Sequence, residues 1–187
     1  MRSQDGEELL TVKGDARVQD GVISRFELEV AWSTDGLERV LATLREAGVA
    51  LTGEPDQSQD AMSAMASLGL VAASPRTNRR TALGLAAPNG EHVAELDIDR
   101  VVFTAGGQHV RHFEVECEAR AGAGPELLRA VTDDLRRSFD DMRPIAYSKL
   151  ELGQLLERRA AEGTLASWLD GDQLTGFAYD EIERRLG

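Results

Sequence analysis

The sequence holds one cysteine in 187 residues, Cys117, so no disulfide can form within the chain. Cys117 lies on the apolar side of an alternating stretch and reads as core rather than as a reactive thiol. Apolar runs are short. None is long enough to span a bilayer, and the first residues, MRSQDGEE, lack the apolar h-region of a secretory signal. A cytoplasmic location is therefore expected. Positive charge is scarce: 21 Lys and Arg stand against 33 Asp and Glu, a formal net charge of −12. That balance argues against nonspecific binding to a nucleic acid duplex or an anionic membrane surface, although it permits a local basic site. Internal repeats, linkers and low-complexity segments are also absent. A chain of this length, with 42 % apolar residues, suits one domain with a sizeable core.

What the chain has in excess is carboxylate at every second position. Glu27 and Glu29 alternate with Phe26, Leu28 and Val30; Glu95, Asp97 and Asp99 with Leu96 and Ile98; Glu114, Glu116 and Glu118 with Phe113, Val115 and Cys117. A period of two is the strand signal. Each strand would carry one apolar face and one acidic face. Carboxylates this dense repel one another unless cations sit among them. The plainer alternative is a solvated sheet face in an acidic protein.

The remaining elements follow from punctuation. Leu9 to Gly14 and Ser24 to Trp32 read as a pair of strands, followed by a helix over 34–47 capped by Thr34 or Asp35 and ended by Gly48. A second helix is expected over 57–68, with Met62 and Met65 on its buried side. A strand over 71–85 is broken near Pro75. Asn89-Gly90 and Gly106-Gly107 turn the chain between strands at 92–103 and 110–120. Pro125 opens a helix with Leu127, Val131, Leu135 and Phe139 in its stripe. Ser148 and Glu151 form a capping box for another. Short helices close the chain, with Trp168, Phe177 and Ile182 as core. The class is α+β with an antiparallel sheet. Helices are expected on the apolar faces, leaving the acidic faces to line a groove or a barrel interior. His109 and His112 are three apart, hence on opposite faces of a strand, and read as surface or rim residues.

Basic residues share the acidic faces: Lys13, Arg25, the group Arg76, Arg79 and Arg80, and Lys149. Carboxylates that hold Mg²⁺ or Mn²⁺, mixed with Arg and Lys, suit a polyanion bridged by a divalent metal. In chain order, T-V-K-G, R-x-E-x-E, the Arg-rich strand, E-L-D-I-D-R, F-E-V-E and Y-S-K-L-E together resemble the CYTH superfamily, the triphosphate tunnel metalloenzymes. The resemblance covers roughly residues 2–153 and rests on the order of six short motifs.

That resemblance implies an antiparallel barrel with a charged interior and helices outside. It implies a hydrolase acting on inorganic tripolyphosphate or on nucleoside or organic triphosphates, with Mg²⁺ or Mn²⁺. Arg2, Lys13, Arg25, Arg79 and Lys149 would contact the triphosphate, with Arg76 the alternative to Arg79. Asp99, Glu114 and Glu116 would hold metal; Glu27 would orient the attacking water, and Lys149 would neutralise developing charge. The chain departs from the family pattern at its start. The Glu-x-Glu-x-Lys strand is missing, and Met1-Arg2-Ser3 matches only the tail of the Arg-x-Arg strand. The family pattern thus places roughly 40–60 residues ahead of Met1. The expected form is an incomplete, open tunnel barrel over 1–163 with a helical extension at 164–187, impaired in catalysis and able to pair with a second copy through an exposed sheet edge. Two other readings stay open: a non-catalytic phosphate or polyphosphate binding module, and a class IV adenylyl cyclase.

Overall fold

The computed structural model describes residues 2–4, 6–15, 17–19, 22–56, 58–120 and 123–187. The chain forms two compact units, Met1–Ala72 and Ala73–Gly187.

In the first unit, β1 (Arg2–Gln4), β2 (Glu7–Lys13) and β5 (Glu27–Ala31) form an antiparallel sheet in the order β1-β2-β5, and β3 (Arg17–Gln19) pairs with β4 (Val22–Ser24) in the connection. Leu10 faces Val30 across the β2–β5 pair, and Val12 faces Leu28. These four make the apolar face. Helix α1 (Thr34–Glu46) covers it with Val40 and Leu44, and α2 (Ala61–Ser67) adds Ala61 and Met65. The cap of α1 is Ser33, one residue ahead of the expected pair; its hydroxyl accepts from Gly36 N at 3.0 Å. Helix α2 is shorter than its pattern suggests and starts after the Asp60 cap. Met62 points outward, half exposed, while Met65 packs inward.

The second unit is built on three long strands, β6 (Arg76–Ala86), β7 (His92–Ala105) and β8 (Gln108–Ala119), joined antiparallel. Two short strands, β9 (Leu169–Asp170) and β10 (Gln173–Leu174), extend the sheet to the order β6-β7-β8-β10-β9, with β10 parallel to β8. Gly106 and Gly107 take φ of 54° and 78° at the β7–β8 turn, a backbone region that side chains disfavour. Helix α3 (Pro125–Ser138) packs along β8, and α4 (Lys149–Ala161) and α5 (Gly176–Leu186) enclose the main core. That core joins Val101, Phe103 and Val110 from the sheet to Leu152, Leu155 and Leu156 of α4, and to Trp168, Ala178 and Ile182. The segment after 163 is thus built into the core, although Phe177 faces solvent. Gly153 lets α4 lie close to the sheet: a Cβ there would stand 1.8 Å from Ser74 Oγ and 3.2 Å from Phe103 Cδ1.

The architecture is α+β, and among the described residues no sheet closes into a barrel. Among the described residues, ten strands fall into sheets of three, five and two. The expected sidedness fails in the second unit. Asp97 and Asp99 have the same parity on β7 as Val101, Phe103 and Ala105, and all five are buried. The face opposite carries Ile98, 42 % exposed, and Phe113, 55 % exposed. Helices cover the face whose far end is apolar, and that face turns acidic halfway along its strands.

Candidate functional site

Register brings the acidic residues together. Asp99 pairs with Glu114 across β7–β8, and Asp97 pairs with Glu116. Side chains directly opposite on adjacent strands share a face with Cβ atoms roughly 5 Å apart. On β6, Arg80 stands opposite Asp99, so it shares this face. Its guanidinium donates from Nε to Asp99 Oδ1 at 2.8 Å and from Nη2 to Asp99 Oδ2 at 2.7 Å. Nη2 also donates to Glu116 Oε2 at 2.7 Å. Two parallel bonds to one carboxylate are the fork geometry that only arginine offers.

Lys149 is delivered from above by α4. Ser148 caps the helix, accepting from Glu151 N at 3.2 Å while Glu151 accepts from Ser148 N at 2.8 Å. Lys149 is then the first helical residue. Its ammonium lies 3.0 Å from Asp99 and 2.9 Å from Glu116, and it also pairs with Glu114.

These contacts set the proton affinities. Burial resists ionisation of Asp99, but hydrogen bonds from Arg80, Asn78 and Lys149 outweigh it and hold the carboxyl far below its usual range. Burial likewise opposes the Glu114 charge; His112 and Lys149 overcome it and hold Glu114 low. Asp97 goes the other way. Burial pushes it up, Arg80 pulls it down, and Glu95, Asp99 and Glu116 push it up again. Arg80 Nη1 ion-pairs with Asp97 Oδ2 at 2.5 Å, and the buried Asp97 Oδ1 has no hydrogen-bond donor.

Two overlapping sets of carboxylates can hold a cation: Asp99, Glu114 and Glu116, and Asp97, Glu116 and Glu118, each with oxygens within 4.8 Å of one another. Oxygen-only sets of this kind suit a hard cation. The fit has two supports besides proximity. Asp97 offers one buried oxygen, Oδ1, without a donor. Further, the four carboxylates of Asp97, Asp99, Glu114 and Glu116 outnumber the cations among them, with Arg80 and Lys149 in contact and Arg76 near Glu114.

The other expected residues lie as follows. Arg76 is on the acidic face, opposite Phe103, and donates to Ser74 O at 3.1 Å. Arg79 is on the reverse face, opposite Arg100, and lines a shallow cavity with Thr77 and Val102. The arginine among the carboxylates is therefore Arg80, one residue on from the expected position. In the first unit, Lys13 sits opposite Glu27, 3.1 Å from its carboxylate, and Arg25 Nε lies 2.5 Å from the same oxygen. Of Arg2 only the backbone, in β1, is described.

Two further residues belong to the acidic site: His112, expected at the surface or rim, and Tyr179, which the sequence does not single out. His112 is buried, not on a rim, with Nε2 3.1 Å from Glu114 Oε2. Its Nδ1 lies 3.0 Å from the hydroxyl of Tyr179 on α5. The signal for His112 is its parity: it alternates with Glu114 and Glu116 and so shares their face.

Compared with known proteins, the chain matches no family model, no curated protein and no solved structure. Among the described residues no helix is long and apolar enough to cross a membrane.

Proposed function

We propose that this chain is a CYTH-type, divalent-metal-dependent domain that binds triphosphate or polyphosphate and hydrolyses its terminal phosphate. The observation that carries the reading is the interleaving of Arg80 and Lys149 with Asp99, Glu114 and Glu116 on one sheet face. Phosphoryl transfer needs positioning and charge stabilisation above all, and this interleaving supports the reading on both counts. Asp99, Glu114 and Glu116 would hold Mg²⁺ or Mn²⁺, which when bound draws charge from the phosphate oxygens. Arg80 would take phosphate oxygens as a fork and Lys149 as a point charge, with Arg76 beside them. Asp97, whose proton affinity burial raises, suits the acceptor of the proton that the attacking water loses. Roles for Lys13, Arg25 and Glu27 rest on the motif resemblance.

A second reading has its own support. The Lys149 ammonium already sits among three carboxylates, which suits a module that binds polyphosphate without turning it over. Phosphate release from tripolyphosphate, measured on the full chain with Mg²⁺ or Mn²⁺, separates the two. The hydrolase reading expects metal-dependent release that falls at least about 100-fold in Lys149→Ala, the scale of losing one transition-state charge contact. Tripolyphosphate binding without release would overturn hydrolysis and leave the binding module.

A further inference from the structure

We infer that Tyr179 and His112 are positioning residues that orient Glu114 for the cation. This rests on the reading that Asp99, Glu114 and Glu116 hold a divalent ion. His112 is 1 % exposed and sits on β8 between Val110, in the core, and Glu114. An ionised carboxylate can only accept hydrogen bonds, so the proton between His112 Nε2 and Glu114 Oε2, 3.1 Å apart, belongs to the imidazole. In the neutral ring Nδ1 is then an acceptor, and the Tyr179 hydroxyl, 3.0 Å away, is its donor. Burial favours the protonated phenol. The result is a directed chain: Tyr179 O–H to Nδ1, and Nε2–H to Glu114 Oε2.

The chain fixes both ends of Glu114. Oε2 is committed to His112, and Oε1 faces Lys149. Oε1 is thus turned toward Lys149, Asp99 and Glu116, where a divalent ion would be held. Tyr179 is itself held by its neighbours, because Ala178 and Ile182 on α5 are fully buried. The rings of His112 and Tyr179 pack with centroids 5.8 Å apart. Helix α5 contributes no carboxylate to the site, yet through one histidine it sets the direction of one. Partners of this kind around metal ligands typically change metal affinity about 10- to 100-fold when removed.

The test uses Mn²⁺ alone, titrated into the full chain and followed by the electron paramagnetic resonance of free Mn²⁺. Wild type is compared with Tyr179→Phe, His112→Gln and His112→Leu. Glutamine keeps an N–H donor for Glu114; leucine does not. Expected are a loss of about 10-fold or more in His112→Leu, a smaller loss in Tyr179→Phe, and substantial recovery in His112→Gln. Equal affinity in wild type, His112→Leu and Tyr179→Phe would overturn the inference. Nitrogen-15 spectra of the imidazole supply a readout free of metal. A proton on Nε2 is expected in wild type, with Tyr179→Phe altering the Nδ1 signal; a proton found on Nδ1 alone would overturn the hydrogen-bonded chain. If wild type binds no Mn²⁺, the metal reading fails and the inference with it, whereas a correct imidazole form beside normal Mn²⁺ binding supports both.

Discussion

Arg80 divides one guanidinium among Asp97, Asp99 and Glu116, and its removal would strand two fully buried carboxylates. Breaking a buried pair costs about 3–5 kcal/mol. Because Arg80 keeps about a third of its side chain in solvent, Arg80→Met is expected to lose about 2–4 kcal/mol in urea unfolding. Arg79→Met, on the reverse face, should lose under about 0.5 kcal/mol. Acid should act through the same cluster. Glu114 is held down to about 2 from an ordinary 4.5, and Asp99 is lowered too. Such groups stabilise the fold above their unfolded pKa, and that contribution disappears as the pH falls through the folded value. Melting temperatures should therefore drop between about pH 4.5 and 2. Asp97, raised in the fold, works in the opposite direction and offsets part of the loss. An acid-insensitive melting temperature over that window would refute the account. At this scale the alternation puts His112 on the face of Glu114, but the expected rim position is wrong: His112 is buried. The sequence does not tell that Arg80 rather than Arg79 meets the carboxylates, because one residue of register decides the face.

Helix α4 is the element that brings a cation to the sheet, and its first turn is its weak point. Lys149 follows the Ser148 cap directly. Ser148→Ala should cost about 1 kcal/mol and leave the Lys149 turn less fixed, visible as faster amide hydrogen exchange at Glu151, whose N–H the serine accepts. Gly153→Val should do more harm. Its side chain would meet Ser74 and Phe103, and overpacking costs about 1–3 kcal/mol, read from the denaturation midpoint. The Ser148–Glu151 box and the Asn89-Gly90 turn were legible because capping and turn chemistry are local. The covering of β7 and β8 was not. Alternation says which residues share a face but leaves open which face the helices choose. Val101, Phe103, Ala105 and Val110 decide it, and they lie beyond the acidic stretch that drew attention.

Strand β6 lies at one edge of its five-stranded sheet, and such edges invite pairing with another chain. Arg76 and Arg79 lie along it, while Arg80 is taken up by carboxylates, and two copies aligned edge to edge would bring the Arg76 and Arg79 charges together. Self-association is thus expected to be weak at low salt and to rise as salt screens the repulsion, as sedimentation velocity can measure; association that weakens with salt would point to a different contact. The division at residue 72 has an optical consequence. The chain has two tryptophans, and each compact unit owns one: Trp32 packs beside α1, while Trp168 is buried with the Arg159 guanidinium carbon 4.6 Å from its ring centroid. Emission is therefore a built-in label for each half. Trp32→Phe should leave a spectrum that tracks the melting of residues 73–187 alone. The difference from the parent chain then records 1–72, so whether the halves unfold together can be read from intrinsic fluorescence without attaching a dye.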